Sequence, residues 1–158
     1  MKKIEGWVTA PQGFIAAGVK AGIKASGNHD VAVIFSTVPA ACGAVFTQNK
    51  MCAAPVLVSR EVNKHGYAQA IAVNSGCANA CTGEQGLADA KKMQAHTAEL
   101  LGIAPEAVLL HRCYRPVPAD GQAADRHCRC CRQLGRMRGR KLRYGDSDYG
   151  YLYQARCL

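Results

Sequence analysis

Several missing features restrict the function of this chain. The sequence has no run of about 18 apolar residues, which a membrane-spanning helix needs. The stretch Met1–Gly13 contains two lysines but lacks the apolar segment of a secretion signal. Nine cysteines, an odd number, give no disulfide framework. We therefore expect a cytoplasmic protein with no membrane partner, in a compartment where thiols stay reduced.

Charge and cysteine are distributed unevenly along the 158 residues, whose formal net charge is +9. Residues 1–110 carry nine Lys/Arg against seven Asp/Glu, a net of +2, and four cysteines. Residues 111–158 carry eleven Lys/Arg against four Asp/Glu, a net of +7, and five cysteines. Ten of those eleven basic residues are arginine. The two segments therefore differ as if they were products of different selection.

The basic segment 111–158 has no sustained helical or strand period, so we expect it to be disordered. Its cysteines and histidines suggest zinc, but Cys128-Arg-Cys130-Cys131 departs from the spacing of two to four residues typical of structural zinc sites. Its arginines suggest phosphate contacts, although arginine clusters bind polyanions without selection for that role. The candidate ligands are His111, Cys113, His127, Cys128, Cys130, Cys131 and Cys157. A small zinc- or nucleic-acid-binding protein is the alternative interpretation of the chain.

The first 110 residues alternate strand and helix patterns, which predicts an α/β fold with layered sheet and helices. The apolar, β-branched stretch Val31–Val38, ended by Pro39, predicts a buried strand. The further predicted strands are Gly43–Thr47, Pro55–Ser59, Gln69–Asn74 and Ala107–Leu110.

Two helices are predicted in the same segment. A short one covers residues 59–64 with Ser59 as its cap. The longer one follows Thr82, has apolar residues at helical spacing as far as Leu101, and stops at Gly102. Thr82 and Gln85 have the spacing of a capping box.

The loop Asn74–Gly83 joins a predicted strand to the longer helix and is the strongest local indication of a binding site. Its small residues let a ligand approach backbone N–H groups, and the helix dipole favours an anion there. It is not a Walker loop, because the Lys-Ser/Thr ending is missing. The alternative is a structural turn whose Asn and Thr side chains bond their own backbone. The candidate substrate-binding residues are Asn74, Ser75, Gly76, Asn79, Thr82 and Gly83.

Cys77 and Cys81 in this loop are not assigned a chemical role. A nucleophilic cysteine needs a base nearby, and no histidine of the first segment has a context that indicates pairing. We expect both to be inert, buried or half-buried thiols. No catalytic residue and no metal ligand is assigned in the chain.

Several stretches of the first segment resemble one enzyme family in order and spacing. They are Val8–Phe14, Ala17–Lys24, Ala44–Asn49, Ala54–Arg60 and, most tellingly, Val73–Ala90. Together they resemble the glutamate N-acetyltransferase / ornithine acetyltransferase family of arginine biosynthesis, which usually has Asn at the position of Cys77. The resemblance covers Val8–Leu110, about the first 110 residues of a family whose full chain is much longer.

The resemblance implies acetyl transfer from N-acetylornithine to glutamate, with acetyl-CoA as a co-substrate of some members and no bound cofactor. Family members cut themselves before an internal Thr, whose amine and hydroxyl then act as base and nucleophile, and they form heterotetramers of the α and β chains. A Thr-Gly pair within Ser-Thr-Gly-Val-Ile-Gly forms the oxyanion hole. That motif is expected directly after the position of Leu110, where this chain has His111–Arg115.

A one-base displacement of the reading frame accounts for this departure. Codons compatible with Leu110–Gln122, read one base further along, can spell Ser-Thr-Gly-Val-Ile-Gly-x-Phe-Leu-Pro-Met-Asp-Lys, the continuation expected of the family. Asp148–Gln154 can likewise become Thr-Thr-Asp-Thr-Phe-Thr-Lys. Each shifted codon allows only a few residues, so we predict a frameshift just before His111. Residues 1–110 are then the N-terminal part of an incomplete acetyltransferase domain, and 111–158 are out of frame.

Overall fold

The computed structural model describes residues 7–21, 23–76 and 78–111. Within them the chain forms one four-stranded sheet, two helices and two short 3₁₀ turns. The strands are β1 (Phe14–Val19), β2 (Val31–Ala41), β3 (Tyr67–Asn74) and β4 (Val108–His111); the helices are α1 (Ala54–Asn63) and α2 (Gly83–Leu101); the turns are Trp7–Thr9 and Pro105–Ala107. This mixed sheet with helices confirms the predicted α/β class.

The strand order is β1-β2-β3-β4. β1 pairs antiparallel with β2, and β2 with β3, whereas β3 and β4 are parallel and are joined through α2. A parallel pair needs such a crossover connection, while antiparallel neighbours do not. As a result β1, β3 and β4 all end at one edge of the sheet, where β2 begins. We call this the carboxyl edge.

Both helices pack on the same face of the sheet. Alternate strand residues supply this face, and register pairs place Ala17, Val33, Ala72 and Leu110 on it in one row. All four are buried in the core. The helices complete the core with Ala54, Val58, Ala90, Met93, Ala98 and Leu101.

The opposite face of the sheet is less buried. Register pairs align Ala16, Ile34, Ile71 and Leu109 in one row across all four strands. Each of these apolar side chains is half-buried. We call this surface the open face, because neither α1 nor α2 packs on it.

Two strand predictions in the middle of the segment are wrong. Pro55–Ser59 lies inside α1, where Pro55 occupies the first turn and suits a helix start. Ala54, Val58 and Val62 are buried at a spacing of four, so the apolar run forms a helical face instead of a strand. Gly43–Thr47 has neither helix nor strand; Val45 is 99% exposed and has no core to pack against.

The short helix predicted over 59–64 exists but begins earlier, at Ala54, so Ser59 lies inside α1 and is not its cap. Three other elements agree with the sequence. β3, α2 and β4 lie where they were predicted, and Gly102 ends α2 with φ +65°. The prediction that Pro39 ends this strand is wrong: β2 continues to Ala41, and its register with β3 shifts between Phe35 and Ala40. Proline is tolerated at such an irregularity, where its missing N–H breaks no ladder hydrogen bond.

Candidate functional site

The loop Asn74–Gly83 joins β3 to α2, which confirms the predicted strand-to-helix connection, and it lies at the carboxyl edge. Asn74 and Asn79 are buried, Ser75 and Thr82 are half-buried, and Gly76 and Gly83 are exposed. The structure therefore brings the six candidate residues together around one strand-to-helix junction.

Asn79 ties this loop to both helices. Its Nδ2 donates to the Gly86 carbonyl at 2.8 Å, and its Oδ1 accepts a hydrogen bond from the Thr82 hydroxyl. Its main-chain carbonyl accepts from the Ala54 amide at the start of α1, at 3.3 Å. Asn79 is only 3% exposed, and its side-chain donor and acceptor both have hydrogen-bond partners inside the protein. We call these bonds of Asn79 to Thr82, Gly86 and Ala54 the Asn79 clamp.

Gly86 makes this clamp sterically possible. A Cβ at Gly86 would lie 1.7 Å from Thr82 Oγ1 and 2.4 Å from Asn79 Oδ1. The capping box expected of Thr82 and Gln85 is wrong: Thr82 forms no side-chain cap and bonds Asn79 instead. Gln85 Nε2 donates to Asp89 Oδ1 at 2.9 Å. The Thr82 hydroxyl is therefore engaged within the loop.

Asp30, which the sequence interpretation missed, organises the neighbouring loop. Its carboxylate accepts three main-chain N–H groups: Oδ1 from Ala21 at 2.6 Å, and Oδ2 from Ile23 at 2.5 Å and Lys24 at 3.0 Å. Asp30 is only 3% exposed, so these bonds replace water around a buried carboxylate. In the sequence, this role of Asp30 is indicated only by its position as a single acidic residue between a glycine-rich stretch and a predicted buried strand.

Asp30 also joins the two loops of the carboxyl edge. Its carbonyl accepts from the Ser75 amide at 2.7 Å. Gly76 has φ +122°, and a Cβ there would lie 2.7 Å from Ile23 Cγ2. Two of the family-like stretches, Ala17–Lys24 and Val73–Ala90, therefore meet in direct contact.

β4 brings the chain to the same edge. Its last register pair joins His111 to Val73 of β3. The Ser59 hydroxyl of α1 accepts from the Leu110 amide and donates to the Leu110 carbonyl, each at 2.9 Å. The last described residue of β4, His111, therefore lies beside the loop that carries the candidate residues.

Chemically, this edge combines a helix N-terminus with loops that are held by internal bonds. The Thr82 hydroxyl bonds the Asn79 side chain, and Asn79 Nδ2 bonds the Gly86 carbonyl of α2, so only Asn79 makes a side-chain bond to the backbone of the kind that the structural-turn alternative describes. The assignment of the six residues to substrate binding stays a prediction. Elsewhere in the described ranges, the Lys64 ammonium, bonded to the Glu61 carboxylate at 2.7 and 2.9 Å, lowers the pKa of Glu61 on the exposed end of α1.

The cysteines of the described ranges are free thiols. Cys81 is exposed and has φ +56°, which corrects the expectation of a buried or half-buried thiol. Cys42 and Cys52 are half-buried, and Cys42 Sγ contacts Asn63 Oδ1 at 3.7 Å. Cys77 lies outside the described residues.

The described part of the chain contains no group of three or more potential metal ligands, and none of its helices could cross a membrane. Apart from His111, the described residues include no part of the segment 111–158. Three predictions therefore lie outside them: the zinc ligands from Cys113 onward, the role of the arginine-rich stretches, and the disorder of this segment. His111 is exposed at the end of β4.

The mixed sheet with both helices on one face places the chain among ornithine acetyltransferase folds. The arginine biosynthesis bifunctional protein ArgJ of Bacillus halodurans matches with a TM-score of 0.71 and 38% identity, over 81% of this chain and 66% of that chain. The ornithine acetyltransferase of Mycobacterium tuberculosis, solved in complex with ornithine, matches with a TM-score of 0.70 and 38% identity, over 82% and 69%.

The family follows from the sequence match. The model of the ArgJ family matches residues 15–112, and the chain belongs to this family. The arginine biosynthesis bifunctional protein ArgJ of Caldanaerobacter subterraneus is 51% identical over 110 residues, 70% of this chain and 27% of that protein. That of Symbiobacterium thermophilum is 51% identical over 108 residues, 67% of this chain and 27% of that protein. The chain thus spans about a quarter of the length of these relatives.

Proposed function

We propose that this chain is the N-terminal part of an enzyme that transfers acetyl from N-acetylornithine to glutamate, with acetyl-CoA as a further acetyl donor in some members of the family. The proposal rests on the position at which the family match stops. The family match ends at residue 112, one residue after β4 reaches the carboxyl edge. The change in charge and cysteine content falls at the same point.

The proposed chemistry uses the carboxyl edge. In the in-frame protein the Thr-Gly pair would stand in place of His111, the last residue of β4, and Arg112. It would adjoin the Asp30-bonded loop and the junction clamped by Asn79. Fixed donors at such a position stabilise an oxyanion because they need no reorganisation during the reaction. The described residues supply the rigid frame for that site.

The 158-residue chain is proposed to be inactive by itself. Where the resemblance expects Ser-Thr-Gly-Val-Ile-Gly, the sequence has Leu110–Arg115 without the Thr-Gly pair of the oxyanion hole. Residues 111–158 are proposed to be an out-of-frame product, whose arginines and cysteines reflect the codons and not zinc or nucleic-acid binding. The in-frame protein is proposed to be cytoplasmic and to form the family's heterotetramer of self-cleaved chains.

The test compares two proteins in an acetyl-transfer assay with N-acetylornithine and glutamate. One is the 158-residue chain, and the other is expressed from the same coding DNA with one base restored next to codon 110. We expect activity from the restored protein and none from the 158-residue chain. Activity of the 158-residue chain, or a restored gene that yields no family continuation, would overturn the proposal.

A further inference from the structure

A cleft lies between α1 and the loop that precedes it, residues 42–53. The helix lines the cleft with side chains on the side opposite its buried residues, at helical spacing: Leu57, Arg60 and Lys64. None of the six candidate residues of the Asn74–Gly83 loop lines it, so the cleft is separate from the site at the carboxyl edge. Its volume of about 640 Å³ is within the range of small-molecule sites.

Arg60 is held in place at this cleft by contacts with the loop. One Nη2–H group donates to the Thr47 carbonyl at 3.0 Å, and the guanidinium carbon lies 5.7 Å from the centre of the Phe46 ring. A guanidinium has five N–H donors, so most of them stay available to a ligand. Because Arg60 is already fixed, it loses less conformational freedom when it binds an anion, and this favours binding.

The cleft carries an excess of positive charge. No Asp or Glu is among the residues that line it in the described part of the chain. Lys64 is paired with Glu61 at 2.7 Å, whereas Arg60 and Lys50 have no carboxylate partner within the described ranges. A phosphate monoester carries about −1.5 to −2 charges at pH 7, while a carboxylate carries only one. Two unpaired cations therefore match a phosphate monoester better than a carboxylate.

We propose that this cleft binds a small phosphate monoester, with the phosphate between Arg60 and Lys50 and the organic part of the ligand against Leu57. The planar guanidinium matches two phosphate oxygens at once, and the flexible Lys50 ammonium adds a second charge. Leu57 is 38% exposed, so its side chain is available to cover apolar atoms of the ligand. This binding is independent of the acetyl transfer proposed for the carboxyl edge.

Cys52 gives a readout that is specific to the cleft, because this half-buried free thiol also lines it. The 158-residue chain is treated with iodoacetamide, and mass spectrometry follows the alkylation rates of Cys52 and of Cys81. Cys81 is exposed and does not line the cleft, so it serves as the internal reference. Binding of a ligand to arginines elsewhere in the chain does not protect Cys52 selectively.

Adenosine monophosphate (AMP) is the probe, because it joins a phosphate monoester to a larger organic group. Adenosine and inorganic phosphate are compared with it at the same concentration. We expect AMP to slow the alkylation of Cys52 about threefold or more, since a ligand in a cleft covers the groups that line it. Adenosine and inorganic phosphate should protect Cys52 clearly less, and the rate of Cys81 should stay unchanged. Added salt should weaken the protection by AMP.

Three variants connect the protection to the two unpaired cations. Arg60→Gln and Lys50→Gln each remove one positive charge, and each should raise the AMP concentration for half-protection about threefold or more. Lys91→Gln removes the same charge from an exposed position of α2 and should leave that concentration unchanged. If Arg60→Gln does not fold, the exposed Lys50 still provides the test.

Four results would overturn the proposal. They are an AMP effect that is absent or equal at Cys52 and Cys81, protection by adenosine as strong as by AMP, protection by inorganic phosphate as strong as by AMP, and a Lys50→Gln variant that behaves like Lys91→Gln. No arm of the experiment measures acetyl transfer, so its result does not depend on the proposed function.

Discussion

Ser59 and Leu110, 51 residues apart in sequence, bond each other twice: the Ser59 hydroxyl accepts from the Leu110 amide and donates to the Leu110 carbonyl, each at 2.9 Å. This contact fixes α1 to β4 just before the strand reaches the carboxyl edge. Ser59 is 5% exposed, so water does not replace the lost bonds easily.

The Ser59–Leu110 contact makes the first prediction. Ser59→Ala is expected to lower the free energy of unfolding by about 1–2 kcal/mol, because two main-chain groups lose their partner. Urea denaturation measures the change. Ser26→Ala, at an exposed turn position, is the control and should leave stability unchanged. Equal midpoints for the two variants would show that the Ser59 bonds contribute nothing.

Asp30 makes the second prediction. Asp30→Asn keeps the size of the side chain but replaces an acceptor oxygen and the charge that three main-chain N–H groups share. Bonds to a charged acceptor are worth about 1.5–3 kcal/mol, and we expect a loss in that range. Amide hydrogen exchange at Ile23, Lys24 and Ser75 should accelerate together. The control Glu106→Gln changes an exposed carboxylate, and if it costs as much stability, the account of Asp30 is wrong.

Gly86 makes the third prediction. Gly86→Ala places a methyl group where Thr82 and Asn79 already meet, so it should cost about 3 kcal/mol or more despite the better helix propensity of alanine. Gly43→Ala has nothing within 4 Å of the added carbon and serves as the matched control. Thermal unfolding of the two variants compares them. A Gly86→Ala variant as stable as Gly43→Ala would contradict the clamp geometry.

The open face makes the fourth prediction. Its half-buried apolar row should bind the dye ANS, which reports exposed hydrophobic surface. Replacing Ile34 and Ile71 together by Thr is expected to lower the fluorescence clearly. Val45→Thr changes a 99% exposed valine outside this face and should lower it little. If the double variant binds ANS as strongly as the parent, the exposed surface lies elsewhere.

Local sequence signals were sufficient where pattern and packing agree. The period of α2, the stop at Gly102 and the β-branched core of β2 all appear in the structure as predicted. Pro55–Ser59 shows the opposite situation, since a short apolar run does not distinguish a strand from a buried helix. The structure identifies this run as part of a helix, in which Val58 and Val62 are both buried one turn apart.

The sequence was sufficient to predict the position of the Asn74–Gly83 loop but not the hydrogen bonds that hold it. Small residues between a strand and a helix located the Asn74–Gly83 loop correctly. The sequence does not show that the Thr82 hydroxyl bonds Asn79, or that Asp30 accepts from the amides of residues 21, 23 and 24, because these contacts depend on how the loops fold. The burial of the Asn74 side chain, whose Oδ1 has no hydrogen-bond partner among the described residues, likewise depends on how α2 packs on the sheet.

The nucleotide sequence around codon 110 tests the central claim most directly. Determining that sequence from the source DNA, and reading it one base further along from this point, should give Ser-Thr-Gly-Val-Ile-Gly followed by an open frame of about the remaining family length. A displaced frame that meets a stop codon early, or that lacks this motif, would contradict the account and leave residues 111–158 as the protein's own sequence.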